Sequence, residues 1–310
     1  MRIVFFGTGR FGIPLIEKLI ESRHEIAAVV TQPDKKRDRG WSVHPTAIKA
    51  FVTEKAPEIT ILQPEKKYDK SYIDSLKSFE ADVFVAVDYG QILKKEVLDI
   101  PTKYCINLHP SLLPKYRGAA PVNRALLNGE TETGNTVFRI TEKMDAGSII
   151  LQERDVINES DNALDLLARL SVKGAFLILK ALDIIDIGEE TFIEQNEAEA
   201  SYAPKLLKTE GEIDWGKNAE IINNQIRGME PWPGAFTRLR GKILKIIRAE
   251  KVHASSPCGA PGTVRDEKDF IVNTGEGCIK INIVQLEGKK IMRSPEFLAG
   301  QRIEKGLALG

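Results

Sequence analysis

Two polar side chains end a short apolar run, and a third lies on a turn further along the chain. The run YCINLH places Asn107 and His109 two positions apart, and MDAG places Asp145 on a turn. Residues two apart on a strand point to the same face, so we expect Asn107 and His109 to project into one cleft. An amide can steady a developing negative charge, and an imidazole beside a carboxylate can move protons. We therefore predict Asn107, His109 and Asp145 as catalytic residues.

Each of the three residues also has a simpler interpretation. An Asn at a strand end is often a turn former, a single His is usually satisfied by its neighbours, and Asp before Ala-Gly is typical of turns. The loop between the strand and the turn makes the functional interpretation stronger. It contains Pro110, Pro114 and Gly118 and is too rich in turn residues to be a helix or a strand. Such a loop is suited to a binding site.

The chain opens with a strand–helix–strand pattern. RIVFF reads as a strand, IPLIEKLIES has helical spacing, and EIAAVVT reads as a second strand. This βαβ unit predicts a parallel sheet covered by helices. A later strand, ADVFVAV, ends at Asp88, Tyr89 and Gly90. Because ligand clefts in open α/β sheets lie beyond the carboxyl ends of the strands, we expect these three residues to border the same cleft as Asn107 and His109.

The turn after the first strand raises an alternative function. Gly7, Gly9 and Gly12 form GxGxxG between a strand and a helix, and Asp34 lies at the distance expected of a dinucleotide fingerprint. This pattern would suit an NAD(P)-dependent oxidoreductase. However, Asp34 follows Pro33 and lies beyond the strand on a loop, and the glycines can simply form a tight turn.

Composition and cysteine usage bound the class of protein. The 310 residues are 42% hydrophobic and 28% charged, with no net formal charge. No apolar run approaches the roughly 20 residues of a membrane span. The first residues read as a strand, so we expect no cleavable signal, and three widely spaced cysteines predict neither a disulfide framework nor a metal site. We expect a cytoplasmic protein and, since no self-association stripe is evident, a monomer.

Basic residues concentrate in two places. One is the run KKRDR near residue 35, and the other lies between Arg238 and Lys251, where Glu250 is the one acidic residue. Such runs are often solvated surface. They can equally hold the phosphates of a nucleic acid, and the sequence leaves both possibilities open at this point.

The second half of the chain changes character along its length. Residues 161–187 have the apolar spacing of a long helix, residues 188–205 are polar without a period, and residues 235–285 form short alternating segments separated by Gly and Pro. We therefore expect a catalytic domain at 1–187, a linker at 188–205 and a small β-barrel domain at 206–310.

The stretch from residue 104 to 150 resembles the formyltransferases that use 10-formyltetrahydrofolate. The family signature is Asn-x-His-x-Ser-Leu-Leu-Pro, then Arg-Gly or Lys-Gly, then Asp-x-Gly. This chain carries it as Asn107, His109, Ser111-Leu112-Leu113-Pro114, Arg117-Gly118, Asp145 and Gly147. SYAPKLLKTEGEIDW and EPWPGAFTRL resemble the second half of the branch that formylates initiator Met-tRNA. The likeness covers almost the entire chain.

The resemblance implies a fold and a set of ligands. The fold is a Rossmann-like doubly wound α/β domain followed by an OB-like β-barrel domain. The formyl donor is 10-formyltetrahydrofolate, no metal is required, and Asn107, His109 and Asp145 are catalytic. The folate contacts are Ser111, Leu112, Leu113, Pro114, Tyr89 and Gly90. The tRNA contacts are Lys35, Lys36, Arg37, Arg39, Arg238, Arg240, Lys242, Lys245 and Arg248.

The chain departs from the family pattern at several points. Asp88 stands where relatives commonly have Ala, most relatives lack Gly9 and Gly12, and Trp41-Ser42 stands where many relatives have Lys-Lys. Alternatives to the Met-tRNA reaction are formylation of another amine, such as a nucleotide-linked amino sugar, and a tRNA-binding module whose catalytic half has decayed. An amino-sugar formyltransferase would share the catalytic residues but would not need the basic residues of the predicted β-barrel domain.

Overall fold

The computed structural model describes residues 1–37, 42–65, 68–252 and 259–310, with Lys36, Arg37, Ser42 and Val43 described by their backbone alone. Arg39 of the predicted tRNA contacts and Cys258 lie outside the described residues. The helices are α1 (Ile13–Ile20), α2 (Ala47–Lys55), α3 (Lys70–Ser78), α4 (Lys95–Leu98), α5 (Pro121–Leu127), α6 (Ala163–Ile187), α7 (Ala219–Gly228) and α8 (Ser294–Gly300). Within the described ranges, no helix has the length and apolar character needed to cross a membrane.

The chain divides into two compact units that do not follow one another simply along the sequence. Unit 1 comprises Met1–Gly118, Glu132–Val156 and Leu167–Ala203. Unit 2 comprises Ala119–Thr131, Ile157–Leu166 and Pro204–Gly310. The first turn of α6 therefore belongs to unit 2 and the rest of that helix to unit 1.

Unit 1 is built on a seven-stranded, mostly parallel sheet in the order β10-β9-β7-β6-β1-β2-β5. The strands of this unit are β1 (Arg2–Gly7), β2 (Glu25–Val30), β3 (Lys35–Arg37), β4 (Ser42–His44), β5 (Ile61–Leu62), β6 (Val83–Val87), β7 (Tyr104–His109), β8 (Arg117–Gly118), β9 (Glu132–Arg139), β10 (Ile149–Val156) and β11 (Tyr202–Ala203). Strands β5, β2, β1, β6 and β7 run parallel, and β9 and β10 add antiparallel pairs at one edge. The predicted Rossmann-like sheet is confirmed.

Alternation along β1 separates the two cores of unit 1. Ile3 and Phe5 face a core that includes residues of α1, α2 and α6, whereas Val4 and Phe6 face a core that includes Tyr72 of α3. A strand buried on both faces has to be apolar throughout, as RIVFF is. Helices thus cover both faces of the sheet, and the carboxyl ends of its parallel strands remain available for a site.

Unit 2 contains an antiparallel sheet in the order β12-β13-β16-β15-β14, with β17 paired to β16. Its strands are β12 (Ala235–Leu239), β13 (Lys242–Val252), β14 (Val264–Asp266), β15 (Ile271–Asn273), β16 (Cys278–Leu286) and β17 (Met292–Arg293). Ile222 and Ile226 of α7 share its core with strand residues, and Phe297 of α8 stacks on Phe270 at 5.7 Å between ring centroids. The predicted change from a parallel α/β fold to an antiparallel β fold is confirmed.

Residues 188–205, which the sequence indicated as a polar linker, make defined contacts within unit 1. Ile193 forms a bridge with Ile149, and β11 pairs in parallel with β8. The loop that carries Arg117 and the strand that follows Asp145 are therefore both bordered by this segment.

Candidate active site

Strand β7 carries Asn107 and His109 to the carboxyl end of the parallel sheet. Asn107 pairs with Ala86 of β6, and His109 pairs with Thr136 of β9. Cys105, two residues before Asn107, is buried in the same core as Phe84 and Ala86. That burial raises the pKa of the Cys105 thiol, which agrees with a packing role rather than a reactive one. By alternation, Asn107 and His109 leave the sheet on this same face.

The imidazole of His109 is contacted at both ring nitrogens. Its Nε2 lies 2.9 Å from the carbonyl oxygen of Tyr116, and its Nδ1 lies 3.7 Å from Oδ2 of Asp145. A carbonyl can only accept, so Nε2 carries a proton and donates it to Tyr116. In the neutral ring Nδ1 is then the basic nitrogen, and it faces the carboxylate at a distance longer than a direct hydrogen bond.

Burial controls the protonation of His109. The side chain is 4% exposed, and this desolvation lowers the pKa of the imidazole below its ordinary value. The charge of Asp145 and the hydrogen bond to Tyr116 both act to raise the pKa and only partly oppose burial. Because burial is the larger effect, the ring is neutral at neutral pH.

Asp145 is fixed on its turn from two sides. Its backbone has a left-handed φ of 50°, and its Oδ2 accepts a 2.8 Å hydrogen bond from the amide of Gly118. A Cβ at Gly147 would lie 1.7 Å from the carbonyl oxygen of Arg139, so the turn lies directly on the end of β9. These contacts bring Asp145 close to His109, although the two residues lie far apart in the sequence.

The side-chain amide of Asn107 differs from these groups because it has no hydrogen-bond partner among the described residues. The residue is half-buried on β7, and among the described residues none forms a hydrogen bond with its side chain. A half-buried amide without a partner is available to a ligand.

The Ser-Leu-Leu-Pro segment turns immediately after His109. Ser111 is buried, and its hydroxyl donates to the carbonyl of Lys115 at 2.7 Å. Leu113 packs with Phe138 and Ile149 and is followed by a cis peptide bond to Pro114. Leu112 and Pro114 are only half-buried. The side chains of Leu112 and Pro114, rather than those of Ser111 and Leu113, are therefore open to a ligand.

Thr136 on β9 holds this segment in place. Its hydroxyl donates to the carbonyl of Ser111 at 2.6 Å and accepts from the amide of Leu113 at 3.2 Å. The side chain of Gln152 donates to the same hydroxyl at 2.8 Å and to the carbonyl of Leu113 at 3.0 Å. We did not predict Thr136 or Gln152, because their strands carry no signal that distinguishes a brace from an ordinary polar residue.

Tyr89 and Gly90 follow the end of β6. The ring of Tyr89 is buried edge-on against Phe6 at 5.4 Å, and burial raises the pKa of its phenol to about 12. The carbonyl of Tyr89 accepts from Thr8 at 3.1 Å and from Gln32 at 2.8 Å. Gly90 is exposed with a left-handed φ of 72°. At this position the ligand-facing group is thus backbone rather than the tyrosine ring.

Asp88 and Gly9 lie in contact, and the side chain of Asp88 requires a glycine at position 9. Asp88 has a left-handed φ of 49°, and its backbone carbonyl accepts from the amides of Thr8 and Gly9. A Cβ on Gly9 would lie 1.7 Å from Oδ2 of Asp88, so the carboxylate fills the space of a side chain at position 9. Although Asp88 has an exposed surface, the surrounding protein desolvates its carboxyl and raises its pKa to about 6. The departures from the family pattern at Asp88 and Gly9 are therefore a single structural feature.

The acidic residue that a dinucleotide-binding site would require, Asp34, is bonded to other side chains of the protein. Asp34 accepts from Lys49 Nζ at 2.6 Å and from Gln63 Nε2 at 2.6 Å, and these partners lower the pKa of its carboxyl. Gly12 packs against Phe5, where a Cβ would lie 3.2 Å from the ring. The glycines thus serve close packing, and Asp34 is already engaged within the protein.

The predicted tRNA contacts differ in their surroundings. Lys35 is exposed and begins β3, where Lys36 and Arg37 follow. In unit 2, Arg238, Arg240 and Lys242 are exposed, and Lys245 is half-buried. Arg248 is instead held by acidic side chains, with Nη2 at 3.1 Å from Asp165 and Nη1 at 3.5 Å from Glu230. Within the described residues, no group of three or more His, Cys, Asp or Glu side chains could hold a metal ion.

Two family models match the chain. The model described as formyl transferase matches residues 1–182, and the model described as formyl transferase, C-terminal domain, matches residues 205–302. Together they cover most of the chain.

Relatives match along its full length. The methionyl-tRNA formyltransferase of Thermodesulfovibrio yellowstonii is 43% identical over 306 residues, covering 98% of this chain and 97% of the relative. That of Halalkalibacterium halodurans is 44% identical over 315 residues, covering 100% and 98%. The solved structure of WlaRD, a sugar 3N-formyl transferase in the presence of dTDP and 5-N-formyl-THF, has a TM-score of 0.68 at 22% identity and covers 94% of this chain and 99% of its own. From its site, its two family matches and its full-length relatives, the chain belongs to the formyl transferase family, in the branch of the methionyl-tRNA formyltransferases.

Proposed function

We propose that this chain transfers the formyl group of 10-formyltetrahydrofolate to the free amino group of initiator methionyl-tRNA. The relatives of that name span the whole chain, which supports this acceptor over a different amine. The observation that carries the mechanism is the pairing of buried His109 with Asp145 at 3.7 Å, on the strand that also presents Asn107.

The reaction moves a carbonyl from one nitrogen to another. The amino nitrogen of the methionyl ester attacks the formyl carbon, and a tetrahedral adduct with a negatively charged oxygen forms. The bond between that carbon and N10 of the folate then breaks, and the amine proton passes to N10. The site must stabilise the oxyanion and carry this proton.

Asn107 suits the stabilisation of the oxyanion. Its amide does not titrate, and no other described residue occupies it. Removal of such a donor typically lowers kcat on the order of 100- to 1000-fold. Since no described residue forms a hydrogen bond with this side chain, Asn107→Ala should leave the fold unchanged.

His109 and Asp145 suit the transfer of the proton. The neutral imidazole has its basic Nδ1 on the side of Asp145, so it can accept the amine proton directly or through a water molecule. The imidazolium that forms is then stabilised by the carboxylate, and it can return the proton to the leaving N10. The carbonyl of Tyr116 thus orients the ring, and Asp145 stabilises its charged form.

Folate is placed next to these groups by the segments that flank them. We assign its pocket to the segment Ser111, Leu112, Leu113 and Pro114 and to the backbone of Tyr89 and Gly90. The half-buried side chains of Leu112 and Pro114 supply apolar contact for the aromatic part of the folate.

We assign the tRNA to the basic residues of the chain, with Lys35 to Arg37 and Arg39 contacting it in unit 1. In unit 2 the exposed residues Arg238, Arg240 and Lys242, with Lys245, would contact phosphates. We retain the functional division into a catalytic domain at 1–187, a linker at 188–205 and a tRNA-binding domain at 206–310. A monomer acting in the cytoplasm is part of the proposal.

Turnover with purified chain tests the proposal. We expect formyl transfer from 10-formyltetrahydrofolate to charged initiator tRNA, and none to a nucleotide-linked amino sugar. His109→Ala should reduce kcat on the order of 100-fold or more. Turnover of the amino sugar in preference to the tRNA would identify the other acceptor, and tRNA binding without formyl transfer would identify a binding module.

A further inference from the structure

The side chain of Gln195 joins two loops of the candidate active site. Its Nε2 donates to the carbonyl of Asp145 at 2.9 Å and to the carbonyl of Gly147 at 2.7 Å. Its Oε1 accepts from Nε of Arg117 at 3.0 Å and from Nη2 of Arg117 at 2.7 Å. A side-chain amide has two donor hydrogens and two acceptor lone pairs, so all four are used.

Arg117 is held as firmly as Gln195. Its side chain is 2% exposed, and Glu197 accepts from Nη1 and Nη2 at 3.0 Å each. This paired geometry is a strong form of ion pair, and it raises the pKa of Arg117 further. Because Glu197 fixes the guanidinium of Arg117, Arg117 can in turn hold Gln195 in one orientation.

Asp145 accepts hydrogen bonds at both its side-chain carboxylate and its backbone carbonyl. Gly118, the neighbour of Arg117, donates its amide to the Asp145 carboxylate at 2.8 Å, while Gln195 holds the carbonyl of Asp145. The segment that carries Gln195 is itself anchored on either side. Ile193 exchanges backbone hydrogen bonds of 2.8 and 2.9 Å with Ile149, and β11 pairs with β8.

We propose that Gln195 is a positioning residue, which fixes the turn of Asp145 relative to His109 by linking the Asp145 carbonyl to the buried Arg117 guanidinium. The inference rests on the proposed role of Asp145 in formyl transfer. The side chain of Gln195 contacts Arg117 and the carbonyls of Asp145 and Gly147, so it acts through Asp145. A polar segment that joins two parts of the sequence thereby takes part in the geometry of the reaction.

The substitution Gln195→Glu separates the two halves of this arrangement. A carboxylate can still accept from Arg117, but it presents oxygen instead of N–H to the carbonyls of Asp145 and Gly147. The turn should shift while Arg117 stays in place. Small displacements of catalytic groups can lower kcat on the order of 10- to 100-fold without a matching change in substrate binding.

Single-turnover and steady-state formyl transfer, together with NMR titration of the His109 ring, test the inference. For Gln195→Glu we expect a kcat loss on the order of 10- to 100-fold, with KM values for both substrates changed less than about twofold. The His109 pKa should fall further, because Asp145 no longer supports the charged ring. Glu194→Ala, an adjacent exposed residue bonded only to Ser148 among the described residues, should leave kcat and the titration unchanged.

Gln195→Ala provides a second, uncharged variant and should move both readouts in the same direction. An unchanged kcat and His109 titration in either folded Gln195 variant would overturn the inference. Asp145→Asn is measured alongside. If it retains full activity, the proposed function of Asp145 is wrong; if it is impaired and the Gln195 variants are not, only the positioning role is wrong.

Discussion

At the scale of single residues, His109 combines two opposing electrostatic influences. Burial favours the neutral ring and Asp145 favours the charged ring, and burial is the stronger. A base that is neutral at rest and acquires a stabilising partner only when it is protonated is suited to shuttle a proton between two nitrogens.

Asp145→Asn tests this balance. Loss of the negative charge should lower the His109 pKa further, so the acid limb of the kcat/KM profile should move to lower pH. We also expect activity to fall on the order of 100-fold, because the imidazolium loses its partner. The measurement is kcat/KM for formyl transfer from pH 5 to 9. An acid limb at the same pH in both proteins would contradict the assigned coupling.

Residue chemistry could be predicted from the sequence where it is local or where the family signature contains it, as for Asp145. Asn107 and His109 lie two apart on one strand, so alternation alone placed them on one face. The contacts of Gln195 with Arg117 and Asp145 join positions far apart in the chain. No local pattern specifies such hydrogen bonds, and a single amide between Glu194 and Asn196 gives no signal of its own.

At the scale of elements, the residues that follow β6 pack directly against the turn that follows β1. Asp88 occupies the space beside Gly9, so the two residues should be energetically coupled. Close neighbours that share a volume are expected to show non-additive effects on stability.

A double-mutant cycle measures that coupling. Gly9→Ala alone should destabilise the chain by about 1–3 kcal/mol, because its Cβ collides with the Asp88 carboxylate. In the Asp88→Ala background the same change should cost much less. Urea unfolding of the four proteins gives the free energies. Equal costs of Gly9→Ala in both backgrounds would show that Asp88 does not fill the space.

The elements themselves were largely predictable. Apolar runs and helical periods indicated β1, β6, β7 and the long α6, because residues buried on a sheet face or a helix face are apolar at regular intervals in the sequence. Residues 188–205 gave no periodic signal. Their contacts come from individual polar side chains and from the two-residue strand β11, and neither produces a pattern.

At the scale of the whole molecule, the basic residues of unit 2 divide by their partners. Lys242 and Arg238 are exposed, and Arg238 has one long contact of 3.9 Å with Glu212, whereas Arg248 contacts both Asp165 at 3.1 Å and Glu230 at 3.5 Å. A side chain already engaged with carboxylates has less charge to offer a phosphate.

Salt-dependent tRNA binding distinguishes the two kinds of residue. Lys242→Ala and Arg238→Ala should each weaken binding and reduce the slope of log K against log salt by about one. Arg248→Ala should leave the slope unchanged and lower the thermal midpoint instead. Filter binding at several KCl concentrations gives the slopes. A reduced slope for Arg248→Ala would place its charge on the tRNA.

Buried histidines predict how unit 1 responds to acid. Burial lowers the pKa of His24, as it does for His109, while an unfolded chain holds histidine at its ordinary value of 6.5. The unfolded state therefore binds more protons, and stability present above that pH is lost as the pH falls below it. We expect urea unfolding by circular dichroism to show this loss between pH 7 and 5.5. His24→Gln should flatten the slope, and an unchanged slope in that variant would exclude His24 as a cause.

The organisation into an α/β unit and an antiparallel unit was predictable, because a parallel core and a half-exposed β sheet have different apolar patterns. The assignment of Ala119–Thr131 and Ile157–Leu166 to unit 2 was not, since it depends on packing between segments distant in sequence. Composition and charge left the class of partner open, and the family signature indicated both the chemistry and the tRNA partner.

The most direct test of the mechanism is the coupling between His109 and Asp145 in single-turnover formyl transfer to methionyl-tRNA. If the two residues act as one unit, the double variant His109→Ala/Asp145→Asn should be no slower than His109→Ala alone, because Asp145 acts only through the ring. A double variant slowed by the product of the two single effects would contradict a shared role.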